Sequence, residues 1–278
     1  MKLLFIGDIV GRPGRELIRR GLKPLVRAYD IDVVLANGEN AAGGAGVTRE
    51  ISDELFGAGI QVLTSGNHIW DKREVMEFID RQPRLVRPAN YPAGAPGAGS
   101  YVWTSGAHAV GVINLMGRVF MASLDDPFAR ALEELDRVRD AGATVVFVDF
   151  HAEATSEKLA MGWHLDGRAT AVVGTHTHVQ TADERILPNG TAYLTDVGMT
   201  GPHDGIIGME RTSVLARFTT GLPSRFETAT GDLRLHAVVV TADPSTGRAT
   251  DIERVALTAD QLYALDAHDA DRLAPSVP

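Results

Sequence analysis

Short apolar runs rich in β-branched residues recur along this chain, at residues 3–6, 33–36, 61–64, 109–115, 144–148 and 171–173, and each stops at small or polar residues. Runs of that length, apolar at successive positions, predict strands buried on both faces of a sheet. Helical patterns fall between several of them, at 15–29, 48–56, 72–79 and 127–140, the last with Asp126 as N-cap and Pro127 in the first helical position. Strand and helix alternate, so the expected class is α/β. Beyond about Arg185 the texture changes to short strand-like pieces (191–194, 213–218, 235–241 and 252–256), which predicts a mostly antiparallel second half. The Gly, Pro and Ala-rich stretch 88–100 reads as a loop, and the end from about Ala267 as a helix with a frayed tail. One domain over residues 1–278 is the default expectation for this length.

Five of these six runs deliver unusual polar residues at their ends. Asp8, Glu39 with Asn40, Asn67 with His68, His151, and His176 with His178 all come directly after apolar runs, and strand ends in an open α/β sheet converge on one crevice. Each piece alone has a structural explanation. Asp8 before Gly11 and Gly14 reads as a turn and helix cap, residues 37–40 as a turn, and His151 as a core histidine bonded to backbone. The pair in Gly174-Thr175-His176-Thr177-His178 resists that explanation, because imidazoles two apart share one face when extended and reach neighbouring ions around a tight turn.

Composition narrows the chemistry. A formal net charge of −9 argues against a protein that neutralises many phosphates of long nucleic acid, while leaving room for a small anion held through bound cations. The absence of cysteine removes disulfides, thiolate zinc sites and cysteine nucleophiles, so imidazoles and oxygens are the available ligands. No uncharged apolar run approaches the roughly 20 residues of a membrane span, and the expected location is the cytoplasm. There is no nucleoside-triphosphatase loop pattern and no dinucleotide fingerprint. No stripe in the sequence decides whether the chain self-associates.

Gly66-Asn67-His68 and Gly174-Thr175-His176-Thr177-His178, with His151 between them, resemble the calcineurin-like metallophosphoesterases in kind and order. That superfamily usually opens with Asp-x-His, where this chain has Asp8-Ile9-Val10, and usually carries an Asp-containing second motif, where this chain has Gly38-Glu39-Asn40. A narrower group, the YmdB-type bacterial phosphodiesterases, shares both departures. The chain resembles it through Gly7-Asp8-Ile9-Val10-Gly11-Arg12-Pro13-Gly14-Arg15, Asn37-Gly38-Glu39-Asn40 and the segment from Thr195 to Pro202.

The resemblance implies a four-layered α/β/β/α sandwich, a two-iron centre and hydrolysis of nucleoside 2′,3′-cyclic monophosphates. It further implies that Glu39 bridges the metals, with Asp8, Asn40 and His178 on one and Asn67, His151 and His176 on the other. Asn40 would stand in for the histidine missing at Val10, or bond the substrate instead. Manganese and zinc also suit mixed nitrogen and oxygen ligands. Two such ions activate a shared water for in-line attack and neutralise phosphoryl oxygens. His68, next to a ligand but diverging from it, is then available as proton donor to the leaving ribose oxygen, or as a simple phosphate-orienting group. A phosphomonoesterase such as a nucleotidase, or a nucleotide-sensing regulatory protein, would use the same ligands. The glycine-rich segment 196–208 with His203 reads either as a loop closing over the site or as a surface turn; His108, His164, His236 and His268 carry no pattern.

Overall fold

The computed structural model describes residues 1–106 and 108–265. Its first half runs β1 (Lys2–Ile6), β2 (Asp8–Ile9), α1 (Gly11–Tyr29), β3 (Val33–Asn37), α2 (Arg49–Ala58), β4 (Val62–Thr64), α3 (Val75–Phe78), β5 (Ser100–Ser105), β6 (His108–Met116) and α4 (Pro127–Asp140). The second half adds β7 (Val145–His151), α5 (Thr155–His164), β8 (Ala171–Thr175), β9 (Arg185–Ile186), β10 (Ala192–Leu194), β11 (Met199–Pro202), α6 (Arg211–Thr220), β12 (Leu233–Ala242) and β13 (Ala249–Thr258).

Two sheets result. One has the order β2-β11-β12-β1-β3-β4, with β13 also paired to β12; the other has the order β5-β6-β7-β8-β10-β9. β1, β3 and β4 are parallel in the first, and β6, β7, β8 and β10 in the second. Strand alternation then builds the layers. Leu3, Phe5, Val33 and Leu35 face Val112, Val145, Phe147 and Val173 across the sheet interface, where the Phe5 and Phe147 rings stack at 5.0 Å. The alternate residues Leu4, Ile6, Val34 and Ala36 pack outward on Leu17, Ile18, Leu22 and Leu25 of α1. Val146, Val148 and Phe150 pack outward with Leu135 and Val138 of α4 and Met161 of α5. The expected α/β/β/α sandwich is present.

Several elements differ from expectation. α1 starts at Gly11 rather than Arg15, because Pro13 fits the first turn, where a missing N–H costs nothing. The helix expected at 72–79 shrinks to Val75–Phe78 with a 3₁₀ turn after it. Residues 213–218 are not a strand but lie in α6: the Glu210 carboxylate caps the helix by accepting from Thr212 and Ser213 N–H, and Gly221 closes it in left-handed conformation. A run as short as Val214–Leu215 fits either period, and the cap decides. The segment 196–208 is in part sheet, since β11 pairs parallel with β2 and antiparallel with β12. The antiparallel expectation holds for β12, which lies between β1 and β13. The C-terminal reading from Ala267, with His268, lies outside the described residues.

Candidate metal centre

The site forms where β1, β3, β4, β7 and β8 end on the same side of the two sheets. A buried polar network joins those ends from below. Asn37, last in β3, donates through Nδ2 to the Ser65 carbonyl (3.2 Å) and Asp149 Oδ2 (3.1 Å), and its Oδ1 accepts the Glu39 N–H (3.1 Å). Thr64 and Thr175 donate their hydroxyls to the two Asp149 oxygens, at 2.5 and 2.7 Å. Burial pushes the Asp149 carboxyl up to about 7, and the hydroxyl donors and nearby His151 only partly offset it. These bonds tie β3 and β4 of one sheet to β7 and β8 of the other, so the polar groups above them hold a common frame.

Above that frame the seven predicted ligand residues converge in two groups. In the first, His151 Nε2 lies 2.9 Å from Asn67 Oδ1, 3.1 Å from His176 Nδ1 and 3.1 Å from Glu39 Oε1. In the second, His178 Nε2 lies 3.1 Å from Asn40 Nδ2 and 3.9 Å from Asp8 Oδ1. Glu39 touches both, because its Oε1 also accepts from Asn40 Nδ2 at 3.2 Å. Turning the Asn40 amide over presents its oxygen to the same focus.

The outer nitrogens of the imidazoles are anchored. His151 Nδ1 lies 2.8 Å from Thr175 Oγ1, which spends its own proton on Asp149, so the ring donates from Nδ1 and turns Nε2 inward, the nitrogen that would meet a cation in place of its proton. His178 Nδ1 lies 2.9 Å from the Ile207 carbonyl, and His176 Nε2 3.1 Å from Glu153 Oε2. Outer partners of this kind are what orient histidines that bind metal. Among the described residues, Glu39, His151 and His176 form a cluster whose ligand atoms all lie within 4.8 Å of one another.

The electrostatics favour positive charge at this focus. Burial alone would push His151 down, but Glu39, with Asp8 and Asp149 nearby, outweighs it and raises the ring to about 9. Burial would likewise raise Glu39, and its pairing with His151 instead takes it to about 2. His176, half-buried and facing that charged ring, falls to about 3. A divalent cation set among oxygen and imidazole ligands answers the same demand, and the donor set suits such an ion.

A model of the YmdB-like protein family matches residues 4–255. The chain belongs to the YmdB-like family. It is 53% identical over 264 residues to the 2′,3′-cyclic-nucleotide 2′-phosphodiesterase of Bacillus subtilis (strain 168), an alignment covering 95% of this chain and 99% of that protein. Its fold is similar to that of a phosphatase from Mycoplasma pneumoniae (TM-score 0.87, 33% identity, 93% of each chain). A structure of a hypothetical protein from Thermus thermophilus is comparably similar (TM-score 0.86, 44% identity, 93% of this chain and 99% of that one). The YmdB-like chain is thus a phosphoester hydrolase of the metallophosphoesterase fold.

Other parts of this YmdB-like site escaped sequence reading. Asp149 was visible as a carboxylate inside the apolar run of β7, and Asp71 as an acid three residues after His68. The Asp196–Lys158 pair had no signal at all. Lys158 Nζ meets Asp196 Oδ2 at 2.6 Å with both side chains buried, and the same oxygen accepts the Thr177 N–H (3.2 Å) and hydroxyl (2.8 Å). Thr177 separates His176 and His178, whose φ angles of 100° and 66° are both left-handed. Such backbone persists only where surrounding bonds over-determine it, and Asp196 supplies them. Replacing Asp196 by Ala is expected to cost about 3–5 kcal/mol, because Lys158 keeps a buried, unpaired charge; chemical denaturation measures it. The double variant Lys158→Met/Asp196→Leu should regain most of that stability and not the activity, since Thr177 stays untethered. His203, by contrast, packs against His236 at 4.6 Å between ring centres, and burial lowers both rings, His236 to about 4.

Proposed function

We propose that the YmdB-like chain is a single-domain phosphodiesterase that opens nucleoside 2′,3′-cyclic monophosphates at the P–O2′ bond. The observation that carries this reading is the meeting of two ligand groups at Glu39, with an imidazole at their rim. Asp8, Asn40 and His178 would hold one ion and Asn67, His151 and His176 the other, with Glu39 shared. Bound there, the ions supply Lewis acidity toward the phosphoryl oxygens and a water of lowered pKa. The activity named for the Bacillus subtilis relative supports the cyclic substrate.

The proton inventory falls to His68. Its backbone N–H donates to Glu39 Oε2 (3.1 Å), which pins it to the centre, and Asp71 Oδ2 lies 2.8 Å from Nδ1, so Nε2 is the nitrogen left for a substrate. The ring is partly exposed, as a group that meets a diffusing ester must be. In the reaction a water oxygen bonds to phosphorus and gives up a proton, the P–O2′ bond breaks, and O2′ takes a proton from His68, which the proton given up by the water then restores. One water is consumed and a nucleoside 3′-monophosphate leaves.

Iron is the metal we favour, with manganese and zinc compatible with the same ligands. We place the enzyme in the cytoplasm, a reducing compartment with which its cysteine-free chain is consistent; among the described residues no helix is long and apolar enough to cross a membrane. The test is anaerobically prepared, iron- or manganese-loaded protein with 2′,3′-cyclic AMP, beside a His68→Ala control of equal metal content. Turnover should fall by about 10²-fold or more in the control, the range for a lost general acid. No turnover by the loaded protein would end the cyclic-diester reading and direct the assay to monoesters.

A further inference from the structure

Phe120 is the most exposed large apolar side chain among the described residues, at 90%. It is also held there. Met121 N–H donates to the Arg118 carbonyl (3.3 Å), which makes Phe120 the third residue of a turn, and its φ is 62°. That position ordinarily holds Gly or Asn, because a Cβ disfavours left-handed backbone. The turn is fixed from beneath: the buried Glu157 carboxylate accepts the N–H groups of Arg118 (2.9 Å) and Val119 (3.2 Å). On its upstream side Gly117 N–H donates to the carbonyl of His151 at 3.0 Å.

A strained turn therefore keeps a bare aromatic ring in water, three residues from Gly117, which is bonded to the backbone carbonyl of a central site residue. Three residues span at most about 11 Å, so the ring stands on the rim formed where β6 and β7 end, the side on which the site lies. Among the described residues the ring has no packing partner that would explain its place. We propose that Phe120 is the platform on which the nucleobase of the substrate stacks while its phosphoryl group lies at the Glu39, His151 and His176 focus. This inference rests on the phosphodiesterase reading above and adds the part of the substrate that reading leaves free. Every base has a π face, so the platform accepts purines and pyrimidines and favours purines, which stack over more area.

The experiment compares the wild type, Phe120→Ala and Phe120→Tyr, at equal metal content, on 2′,3′-cyclic AMP and on glycerol 1,2-cyclic phosphate, which has the same five-membered ester and no base. Loss of one stacked base predicts a KM for cyclic AMP about tenfold higher in the Ala variant with kcat little changed, and recovery to within about twofold in the Tyr variant. The glycerol ester should move less than about twofold. An unchanged KM for cyclic AMP, or an equal rise on both esters, would overturn the platform. So would a changed oligomeric state in sedimentation with unchanged KM, which would assign the ring to a second copy of the chain. Calorimetry with adenosine 3′-monophosphate and with inorganic phosphate separates this inference from the one beneath it. If the wild type hydrolyses neither ester, the phosphodiesterase reading fails, yet a nucleotide bound about tenfold more weakly by Phe120→Ala, with phosphate unaffected, still supports the platform. Equal nucleotide affinity overturns it.

Discussion

Glu39→Gln is expected to lower kcat/KM for 2′,3′-cyclic AMP by more than about 10²-fold, beyond the 10–100-fold typical of losing an outer partner of a metal ligand. Glu39 is the carboxylate that meets side chains of both ligand groups, through His151 Nε2 on one side and Asn40 Nδ2 on the other, whereas Asp8 reaches the first group only through the His176 backbone N–H. Glutamine keeps the shape and one oxygen and removes the negative charge, so two cations would face one another with less between them. Metal analysis should find fewer than two ions per chain. A second readout needs no turnover: in chelator-treated protein the His151 ring, raised to about 9 mainly by Glu39 against the effect of burial, should titrate lower in the variant, as followed by NMR of the ring protons. Unchanged metal content with kcat/KM within about fivefold of the wild type would remove Glu39 from the bridging position.

Gly66→Ala should be nearly as damaging, by one methyl group. A Cβ built at Gly66 would lie 2.3 Å from His151 Cδ2 and Nε2 and 2.4 Å from Glu39 Oε2, well inside contact distance. Neither neighbour can yield: the His151 ring is buried and anchored at Thr175, and the Glu39 carboxylate is buried and anchored by the His68 N–H. The backbone here is not left-handed, so the effect is one of volume at the ligand focus. The expected outcome is loss of metal and of at least about 10²-fold in activity, as when catalytic groups are displaced by an ångström, with the far-ultraviolet spectrum retained. Gly57→Ala is the control. Nothing lies within 4 Å of a Cβ there, and its place in α2 predicts a gain of about 0.5–1 kcal/mol with full activity. Wild-type metal content in Gly66→Ala would show that the focus is looser than these distances imply.

Much of the sandwich is legible in the sequence because of how its central strands are buried. A strand covered on both faces must be apolar at successive positions, and β1, β3, β7 and β8 are buried along their length. The candidate ligands are legible for the complementary reason: Asp8, Glu39, Asn67, His151, His176 and His178 follow such strands, where an unpaired polar side chain is costly. Short elements without that pattern are not. β5 and α5 carry no clear period in sequence, and residues 213–218 satisfy strand and helix alike until the Glu210 cap is seen.

By itself, then, the sequence determined the α/β class, the identity of the polar residues at strand ends and, through its resemblance to the YmdB-type enzymes, the family to which the chain belongs. Tertiary structure alone decided which of those residues share a focus, that Asp149 bolts the two sheets together beneath it, that Asp196 and Lys158 hold the His176–His178 turn, and that Phe120 stands bare on a turn bonded to the His151 backbone. The physical reason is range. Burial of a strand is written in its own few residues as a hydrophobic pattern, whereas a contact such as Lys158 to Asp196, or Asn37 to Asp149, depends on which strands become neighbours and on how two sheets stack, and no local pattern records that.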